Sequence, residues 1–345
     1  MSEAVVTLAI ERLIAGEHLD RLSAEGVLDA VFEGEVDPVQ VAAFLVALRA
    51  KGETAEEIAG LAAAIRRRAT PVATSRTAFV DTCGTGGGAS TFNISTTVAI
   101  VVAGAGVAVA KHGNRSVTSR SGSADVLEAL GVRVDLSPDA VGECLDEVGL
   151  AFMFAPSHHP AFRHVGPVRK ALGVRTVFNL LGPLANPAGA SRQMIGVFDS
   201  AYLGRIGAAL AELGTERAFV VAGRDGLDEI STSAPTDLVE VSGGGVVSHV
   251  IEPDLLDLPR PSDGALAGGS PQENAEVIRS VLSKVPGAAR DIVVLNAAAV
   301  LWLADRVETI EAGLTVAKES IDSGAAADTL SAFAEITQRL APSRD

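Results

Sequence analysis

The chain has 345 residues, of which 48% are hydrophobic and 21% charged, with 35 Gly and 15 Pro. This composition supplies apolar material for a sizeable core and excludes a disordered or low-complexity chain. The length predicts about two domains. The formal net charge of −15 disfavours binding to nucleic acid and to anionic membranes. A small anion could bind only where local cations or backbone amides overcome that field.

The two cysteines, Cys83 and Cys144, cannot form a disulfide framework, and the sequence has no CxxC pair that would hold zinc. The N-terminal segment carries acidic side chains among its apolar residues and lacks a basic stretch, so we do not expect a signal peptide. The longest apolar stretch, residues 97–110, is too short to span a bilayer. We therefore expect a cytoplasmic protein with neither a membrane nor a nucleic-acid partner.

Residues 1–72 are predicted to form a small helical domain. Asp37 followed by Pro38 is typical of a helix start, and Gly52 is expected to end that helix. Thr54 and Glu57 have the spacing of a capping box that opens the next helix. No run in this part of the sequence has the pattern of a strand.

Residues 73–345 are predicted to form a larger α/β domain with a mostly parallel central sheet. Buried strands are expected in the runs AFVDTC, VAVAKH, VRVDL, MIGVF, AFVVAG and IVVLNAA, which begin at residues 78, 107, 132, 194, 218 and 292. Helical stretches alternate with them, as in a parallel sheet. A polar helical stretch at 156–187 interrupts the alternation, and part of it, 160–185, is expected to join the helical domain. The glycines at 242–246 predict a hairpin turn.

Three consecutive segments carry the clearest chemistry. A predicted strand runs into a glycine loop at 84–88, whose backbone N–H groups could approach an anion. Residues 93–96 are expected to cap an apolar helix with a positive dipole end. Lys111 and Arg115 would then deliver two fixed cations, followed by a loop rich in hydroxyls. Each loop alone could be only a tight turn, but the three in order are typical of a site for a polyphosphorylated sugar.

These segments resemble the anthranilate phosphoribosyltransferase family, whose members join anthranilate to 5-phosphoribosyl 1-diphosphate in tryptophan biosynthesis. The resemblance extends from the first helices to about Gln338. It rests on GTGG, TFNIST, KHGNRSVTS, SGSADVLEALG, HPAFRHVGPVRKALGVRTVFNLLGPLANPA, GLDEIS and GGSPQENA. It implies a nucleoside phosphorylase/phosphoribosyltransferase-like fold with the active site between the two domains, a magnesium ion (Mg2+), and a homodimer formed through the helical domain.

The resemblance also implies a role for individual residues. Phosphoribosyl diphosphate would be bound by Gly84, Gly87, Thr91, Asn93, Ile94, Ser95, Thr96, Lys111, His112, Gly113, Asn114, Arg115, Ser116, Val117, Thr118, Ser119 and Ser123. Anthranilate would be bound by Gly84, Asn114, His159, Phe162 and Arg169, and magnesium by Ser95, Asp228 and Glu229. Lys111 is expected to stabilise the charge of the departing diphosphate, and the planar fork of Arg169 to hold the anthranilate carboxylate.

The glycine loop departs from the family pattern. The family usually has G-T-G-G-D-G at this point, whereas here Gly87 is followed directly by Gly88, Ala89 and Ser90. The loop is therefore one residue shorter and lacks an aspartate that, in the family, lies beside the magnesium–diphosphate. Its loss would either weaken metal binding or ease the departure of diphosphate.

Two other functions share some of these features. A pyrimidine nucleoside phosphorylase resembles this family in fold and glycine loop, but it carries a K-x-S-G-R-G-type loop in place of KHGNRSVTS and lacks the GPVRK helix. A non-catalytic or nucleic-acid-binding relative should have a basic face and damaged metal ligands. Here the net charge is −15 and Ser95, Asp228 and Glu229 are all present, so only the missing aspartate favours such a relative.

Overall fold

The computed structural model describes residues 2–116 and 120–342. The chain begins with four helices, α1 (Ser2–Ile14), α2 (Arg21–Glu33), α3 (Pro38–Lys51) and α4 (Ala55–Arg68). The predicted signals act as expected: the Asp37 carboxylate accepts a hydrogen bond from Val39 N–H at 2.7 Å, and Thr54 and Glu57 form a capping box. The described residues before Val80 contain no strand, as predicted.

The four helices pack as a bundle, α1 against α3 and α2 against α4. A buried ion pair joins them, in which Lys51 Nζ lies 2.9 Å from the Glu57 carboxylate. The second oxygen of that carboxylate accepts from Leu19 N–H at 2.9 Å, so both oxygens of the buried carboxylate are satisfied. α2 and α4 come so close that a Cβ at Gly60 would collide with the Arg21 carbonyl.

The rest of the described chain forms seven strands in one sheet, with helices on both faces. The strands are β1 (Val80–Gly84), β2 (Val109–Gly113), β3 (Leu150–Phe154), β4 (Arg192–Gly196), β5 (Arg217–Gly223), β6 (Thr236–Ser242) and β7 (Gly245–Ile251). The helices are α5 (Ile94–Gly104), α6 (Ser123–Ala129), α7 (Pro138–Val148), α8 (Ala155–His158), α9 (Gly166–Leu172), α10 (Phe178–Leu181), α11 (Leu203–Glu212), α12 (Pro271–Leu282), α13 (Ala288–Leu303), α14 (Ile310–Asp322) and α15 (Ala325–Leu340). Short 3₁₀ turns occupy 160–164, 200–202 and 253–256.

The sheet has the strand order β3-β2-β1-β4-β5-β6-β7. The first five strands in that order pair in parallel, and β6 and β7 are added antiparallel at one edge, so the prediction of a mostly parallel sheet is confirmed. The predicted hairpin joins β6 to β7 through Gly243 and Gly244, both with positive φ. The strand order reverses between β1 and β4, and such a switch point leaves a crevice at the carboxyl ends of the strands.

Two predicted strands are wrong. Residues 132–136 do alternate buried and less buried side chains, but they run as an irregular segment whose Arg133 N–H donates to Thr337 Oγ1 in α15 rather than to a strand. Residues 292–298 lie in the middle of α13, which packs against both α5 and α14. A helix buried between other helices is apolar on all sides. From a short apolar stretch of sequence it cannot be distinguished from a buried strand.

The segment expected to return to the helical bundle does contact it. The 3₁₀ turn at 160–164 packs against α2, α9 against α3, and α10 against α4. Val165 and Val168 share one hydrophobic cluster with the bundle and with one face of the sheet. Among the described residues, no helix is both long and apolar enough to cross a membrane.

Candidate active site at the carboxyl ends of the strands

A cavity of about 440 Å³ opens between the carboxyl ends of β1 and β2 and the segment at 155–185. The structure brings most of the predicted site residues to its wall: Gly84, Gly87, Asn93, Ser95, Thr96, Lys111, His112, Gly113, Asn114, Arg115, Ser116, Ser123, His159, Phe162, Arg169, Asp228 and Glu229. Thr91 and Ile94 do not line it, because Thr91 forms an isolated β-bridge with Ala267 and Ile94 is buried in the core. The predictions for Val117, Thr118 and Ser119 lie outside the described residues.

The glycine loop at 84–88 is held from three sides. Thr85 N–H donates to Gly196 O at 2.8 Å, Ala89 N–H donates to Gly226 O at 3.2 Å, and the Arg175 guanidinium donates to Gly87 O at 2.9 Å. Gly86 and Gly87 have positive φ, which favours glycine. The loop is therefore held by two backbone hydrogen bonds and by the Arg175 side chain.

The start of α5 presents its backbone to the cavity. Asn93 occupies the N-cap position, but its side chain caps no helix N–H and is bonded to Ser121 and Asn274 instead. Residues 93–96 therefore form the start of α5, as the sequence predicts, although the Asn93 side chain makes no cap hydrogen bond. The first N–H groups of an apolar helix remain next to the cavity, where they favour an anion.

Lys111 lies beneath this helix start with only 3% of its surface exposed. Its ammonium donates to the Thr82 carbonyl and, at 3.2 Å, to Ser95 Oγ. Burial lowers the pKa of Lys111, and the nearby carboxylate of Asp81 opposes that shift. Asp81 is itself buried and accepts from His112 N–H and from the Asn186 amide, so it anchors β1 to its neighbours rather than facing the cavity.

The second expected cation, Arg115, is already paired. Its guanidinium contacts the Glu128 carboxylate at 2.6 and 2.8 Å and Asp125 Oδ1 at 3.0 Å. Arg115 thus lines the cavity as a guanidinium held in place by two carboxylates, which compensate part of its charge. Lys111 contributes the cation close to the helix start.

Asp228 and Glu229 form a carboxylate pair at the cavity wall. Burial raises the pKa of Asp228, and burial together with the charge of Asp228 raises the pKa of Glu229. Across the described residues, no group of three or more His, Cys, Asp or Glu side chains could hold a metal ion. Two carboxylates and the Ser95 hydroxyl fit magnesium nonetheless, because this ion keeps several waters and completes its ligands with phosphate oxygens. A cation would also relieve the repulsion between the two carboxylates.

The opposite side of the cavity is aromatic. His112 Nε2 lies 3.2 Å from His159 Nε2, and His159 stacks on Phe162 with ring centroids 5.1 Å apart. Burial and the neighbouring His159 lower the pKa of His112 to about 3, and burial and His158 lower that of His159 to about 4. Both imidazoles are therefore neutral near pH 7. The Arg169 guanidinium lies 5.3 Å from the centroid of the Phe178 ring and is the cation among these groups.

We call these two sides the polar wall and the aromatic wall. The polar wall comprises residues 84–87, Asn93, Ser95, Thr96, Lys111, Asp228 and Glu229. The aromatic wall comprises His112, His159, Phe162, Arg169 and Phe178. β1, β2 and α5 supply most of the polar wall, whereas the segment packed on the helical bundle supplies most of the aromatic wall.

Several lining residues were not assigned from the sequence, among them Cys83, Arg175, Phe178 and Asn179. Arg175 is the most informative, since its guanidinium lies 4.3 Å from the centroid of the Phe198 ring while it bonds Gly87 O. It therefore joins the segment at 155–185 to the glycine loop. The motif GVRTVFNLLGPLANPA contains Arg175, Phe178 and Asn179, but nothing in its spacing indicated which of its residues face the cavity.

Comparison with known proteins shows which family has this sequence and fold. Residues 76–327 match the a/b domain of a glycosyl transferase family, and residues 7–69 match its helical bundle domain. An anthranilate phosphoribosyltransferase of Moorella thermoacetica is 53% identical over 94% of this chain and 96% of its own length. Another, from Rubrobacter xylanophilus, is 51% identical over 96% of this chain and 98% of its own.

Solved structures agree with this similarity. The anthranilate phosphoribosyltransferase of Thermus thermophilus superposes with a TM-score of 0.90 at 44% identity, over 96% of this chain and 99% of that one. The Saccharomyces cerevisiae enzyme in complex with phosphoribosyl diphosphate and magnesium superposes with a TM-score of 0.89 at 29% identity, over 98% and 99% of the two chains. The same yeast protein has also been solved in complex with 4-fluoroanthranilate.

Proposed function

Since the chain belongs to the anthranilate phosphoribosyltransferase family and transfers the 5-phosphoribosyl group of phosphoribosyl diphosphate to the amine of anthranilate, we propose that each wall of the cavity binds one substrate. The products are N-(5-phosphoribosyl)anthranilate and diphosphate, in tryptophan biosynthesis. The observation that carries the proposal is the meeting of a polar wall and an aromatic wall in one cavity. We assign phosphoribosyl diphosphate to the polar wall and anthranilate to the aromatic wall.

The difficult event in this reaction is the charge that develops on the departing diphosphate. The N–H groups at the start of α5 and the Lys111 ammonium lie where they would stabilise that charge without reorganising during the reaction. Magnesium, held by Ser95, Asp228 and Glu229, would supply further stabilisation of the diphosphate oxygens. The complex of the yeast relative with magnesium supports this assignment.

The aromatic wall has to hold a planar ring with one carboxylate. Neutral His159 and Phe162 offer flat faces to the ring, and the Arg169 guanidinium offers two parallel N–H donors to the carboxylate. The amine of anthranilate is unprotonated at neutral pH, so it can attack once it is held in line with the ribose C1. Alignment of two weakly reactive partners can contribute up to about 7–11 kcal/mol.

The domain boundaries, the oligomeric state and the cellular location remain proposals. We propose the division into residues 1–72, joined by part of 160–185, and residues 73–345. We also propose the homodimer through the helical domain, because Val5 and Leu8 on α1 and Val39 and Val46 on α3 are exposed apolar side chains on two helices that pack together. The cytoplasmic location stays a prediction.

Loss of anthranilate fluorescence tests the proposal directly. The protein is mixed with anthranilate, phosphoribosyl diphosphate and magnesium, and fluorescence is followed with and without the diphosphate substrate. We expect a magnesium-dependent decay that requires the diphosphate substrate. A folded protein that shows no decay over a wide range of magnesium would contradict the proposal and favour a non-catalytic relative, with the missing loop aspartate as the first suspect.

A further inference from the structure

The motif GGSPQENA at residues 268–275 has no role in the site as described so far, although it lies behind the polar wall. It forms the turn before α12 and the first turn of that helix, which Ser270 caps. Asn274 in this turn has 2% of its surface exposed. A polar side chain buried to this degree is expected to be fully engaged in hydrogen bonds.

The Asn274 amide connects a backbone N–H to the side chain of Asn93. Its Oδ1 accepts from Gly269 N–H at 2.7 Å, and its Nδ2 donates to Asn93 Oδ1 at 2.8 Å. A backbone N–H can only donate, so Gly269 determines which end of the Asn274 amide is the oxygen. The NH2 group of Asn274 must therefore face Asn93.

The Asn93 amide is oriented from two sides. Its Oδ1 accepts from Asn274 and lies 3.2 Å from Ser121 Oγ, and its Nδ2 donates to the Ser121 carbonyl at 3.2 Å. A backbone carbonyl can only accept, so this bond determines the position of Nδ2 independently. The second N–H of the Asn93 amide has no partner within residues 2–116 and 120–342, and Asn93 lines the cavity.

The same segment is attached to the loop before α5 through its backbone. Gly268 N–H donates to Ser90 O at 3.2 Å, and Phe92 N–H donates to Leu266 O at 3.1 Å. A Cβ at Gly268 would collide with the Thr91 carbonyl, so the two stretches are in close contact. Asn274 is thus held at a constant position relative to Asn93.

We propose that Asn274 is a positioning residue for phosphoribosyl diphosphate, which holds the Asn93 amide so that an N–H rather than its oxygen is available to the ligand. Without the bond from Asn274, only the longer 3.2 Å bond to the Ser121 carbonyl still orients the Asn93 amide. The amide then turns more easily to present Oδ1, which repels a phosphate oxygen. This inference rests on the proposed binding of phosphoribosyl diphosphate by Asn93.

The variant Asn274→Asp separates this role from a structural one. The carboxylate has nearly the same shape and still accepts from Gly269 N–H, but when ionised it has no N–H to donate to Asn93. We expect KM for phosphoribosyl diphosphate to rise about tenfold, as for loss of one hydrogen bond, with KM for anthranilate unchanged and kcat within about threefold of the parent. Gln272→Glu, exposed in the same turn, adds the same charge away from Asn93 and is expected to leave all three constants unchanged.

Two further variants complete the test. Asn274→Ala loses both bonds and is expected to show the same rise in KM. Both variants are expected to lower the thermal midpoint, because Asn274→Ala leaves two groups unpaired and Asn274→Asp buries a carboxylate. The increase in midpoint caused by phosphoribosyl diphosphate with magnesium gives a second measure of binding, independent of turnover. If Asn93→Ala raises KM for phosphoribosyl diphosphate and Asn274→Asp does not, the positioning role is wrong while the assignment of Asn93 stands. The same conclusion follows if Gln272→Glu raises this KM as much as Asn274→Asp does. If Asn93→Ala leaves KM unchanged, both are wrong.

Discussion

The polar wall and the aromatic wall of the cavity are stabilised in different ways. In the polar wall the groups that would meet the ligand are backbone N–H groups and side chains held by the sheet and by the start of α5, with Gly84 of β1 opposite Gly196 of β4. In the aromatic wall they are side chains and, apart from His112 on β2, they lie on the segment at 155–185, whose short helices pack against the helical bundle. The first wall is therefore as rigid as the sheet, while the second depends on the contact between the two domains.

This difference bears on how the two substrates meet. Arg175 reaches from the segment at 155–185 to Gly87 O, so it connects the two walls directly. A shift of the helical bundle would carry His159, Phe162 and Arg169 with it and leave the glycine loop with the sheet. Changes in the polar wall should therefore alter the use of phosphoribosyl diphosphate and magnesium, and changes in the aromatic wall should alter the use of anthranilate.

The largest effect is expected from the carboxylates of the polar wall. Replacing Asp228 and Glu229 with Asn and Gln removes the charge that would hold magnesium, so we expect kcat/KM to fall by more than about a thousandfold. Anthranilate binding, followed by its own fluorescence, should persist. Asp263→Asn, exposed elsewhere in the α/β domain, is the control for loss of a carboxylate. Retained turnover with the parent response to magnesium would show that the metal binds elsewhere.

A smaller effect, confined to the other substrate, is expected for Arg169→Ala. The loss of a charged hydrogen-bond donor should raise KM for anthranilate roughly 10–100-fold, with KM for phosphoribosyl diphosphate changed by less than about threefold. The measurement is initial rate against each substrate at saturation of the other. Lys170→Ala, exposed at the next position, is the matched control. An equal rise in both constants would contradict the separation of the two walls.

The same contrast explains what the sequence could predict. The glycine loop, the start of α5 and Lys111 are close in sequence, so their residue types and spacing indicated an anion site before any family was considered. His159, Arg169 and the Asp228–Glu229 pair are far apart in the chain, and only the family resemblance brought them together. The partner of Asn93 lies 181 residues away, at Asn274, so no local pattern could indicate it.

The errors have a similar origin. Residues 292–298 were predicted as a strand because a short apolar run does not show whether it is enclosed by helices or by strands. Arg115 lines the cavity, but its position after Lys111 could not indicate that Asp125 and Glu128, in the following helical segment, pair with it. In both cases residues or elements that are packed against the segment in the fold determine its structure or its contacts.

A moderate effect, on magnesium use alone, is expected from restoring an aspartate to the shortened glycine loop. Inserting Asp between Gly87 and Gly88 should lower the half-saturating magnesium concentration about tenfold relative to insertion of Gly at the same point, because a third carboxylate would lie near the cation. Both insertions disturb the bond from Arg175 to Gly87 O, so their comparison isolates the charge from the added length. The measurement is a magnesium titration of initial rate. Identical titrations for the two insertions would show that the missing aspartate does not affect metal use.

The smallest expected effect is on stability and belongs to the aromatic wall. Burial holds the pKa of His112 at about 3, below the ordinary value of 6.5, so the unfolded chain binds a proton at this position more readily than the folded chain. The folded state is therefore penalised as pH falls below about 6.5, and there is little effect above that value. In His112→Gln the loss of unfolding free energy between pH 7 and pH 5.5 should be smaller than in the parent by about 1 kcal/mol. Urea unfolding at both pH values measures this difference. An equal loss in the two proteins would mean that His112 has an ordinary pKa in the folded state, and that burial does not keep its imidazole neutral at pH 5.5.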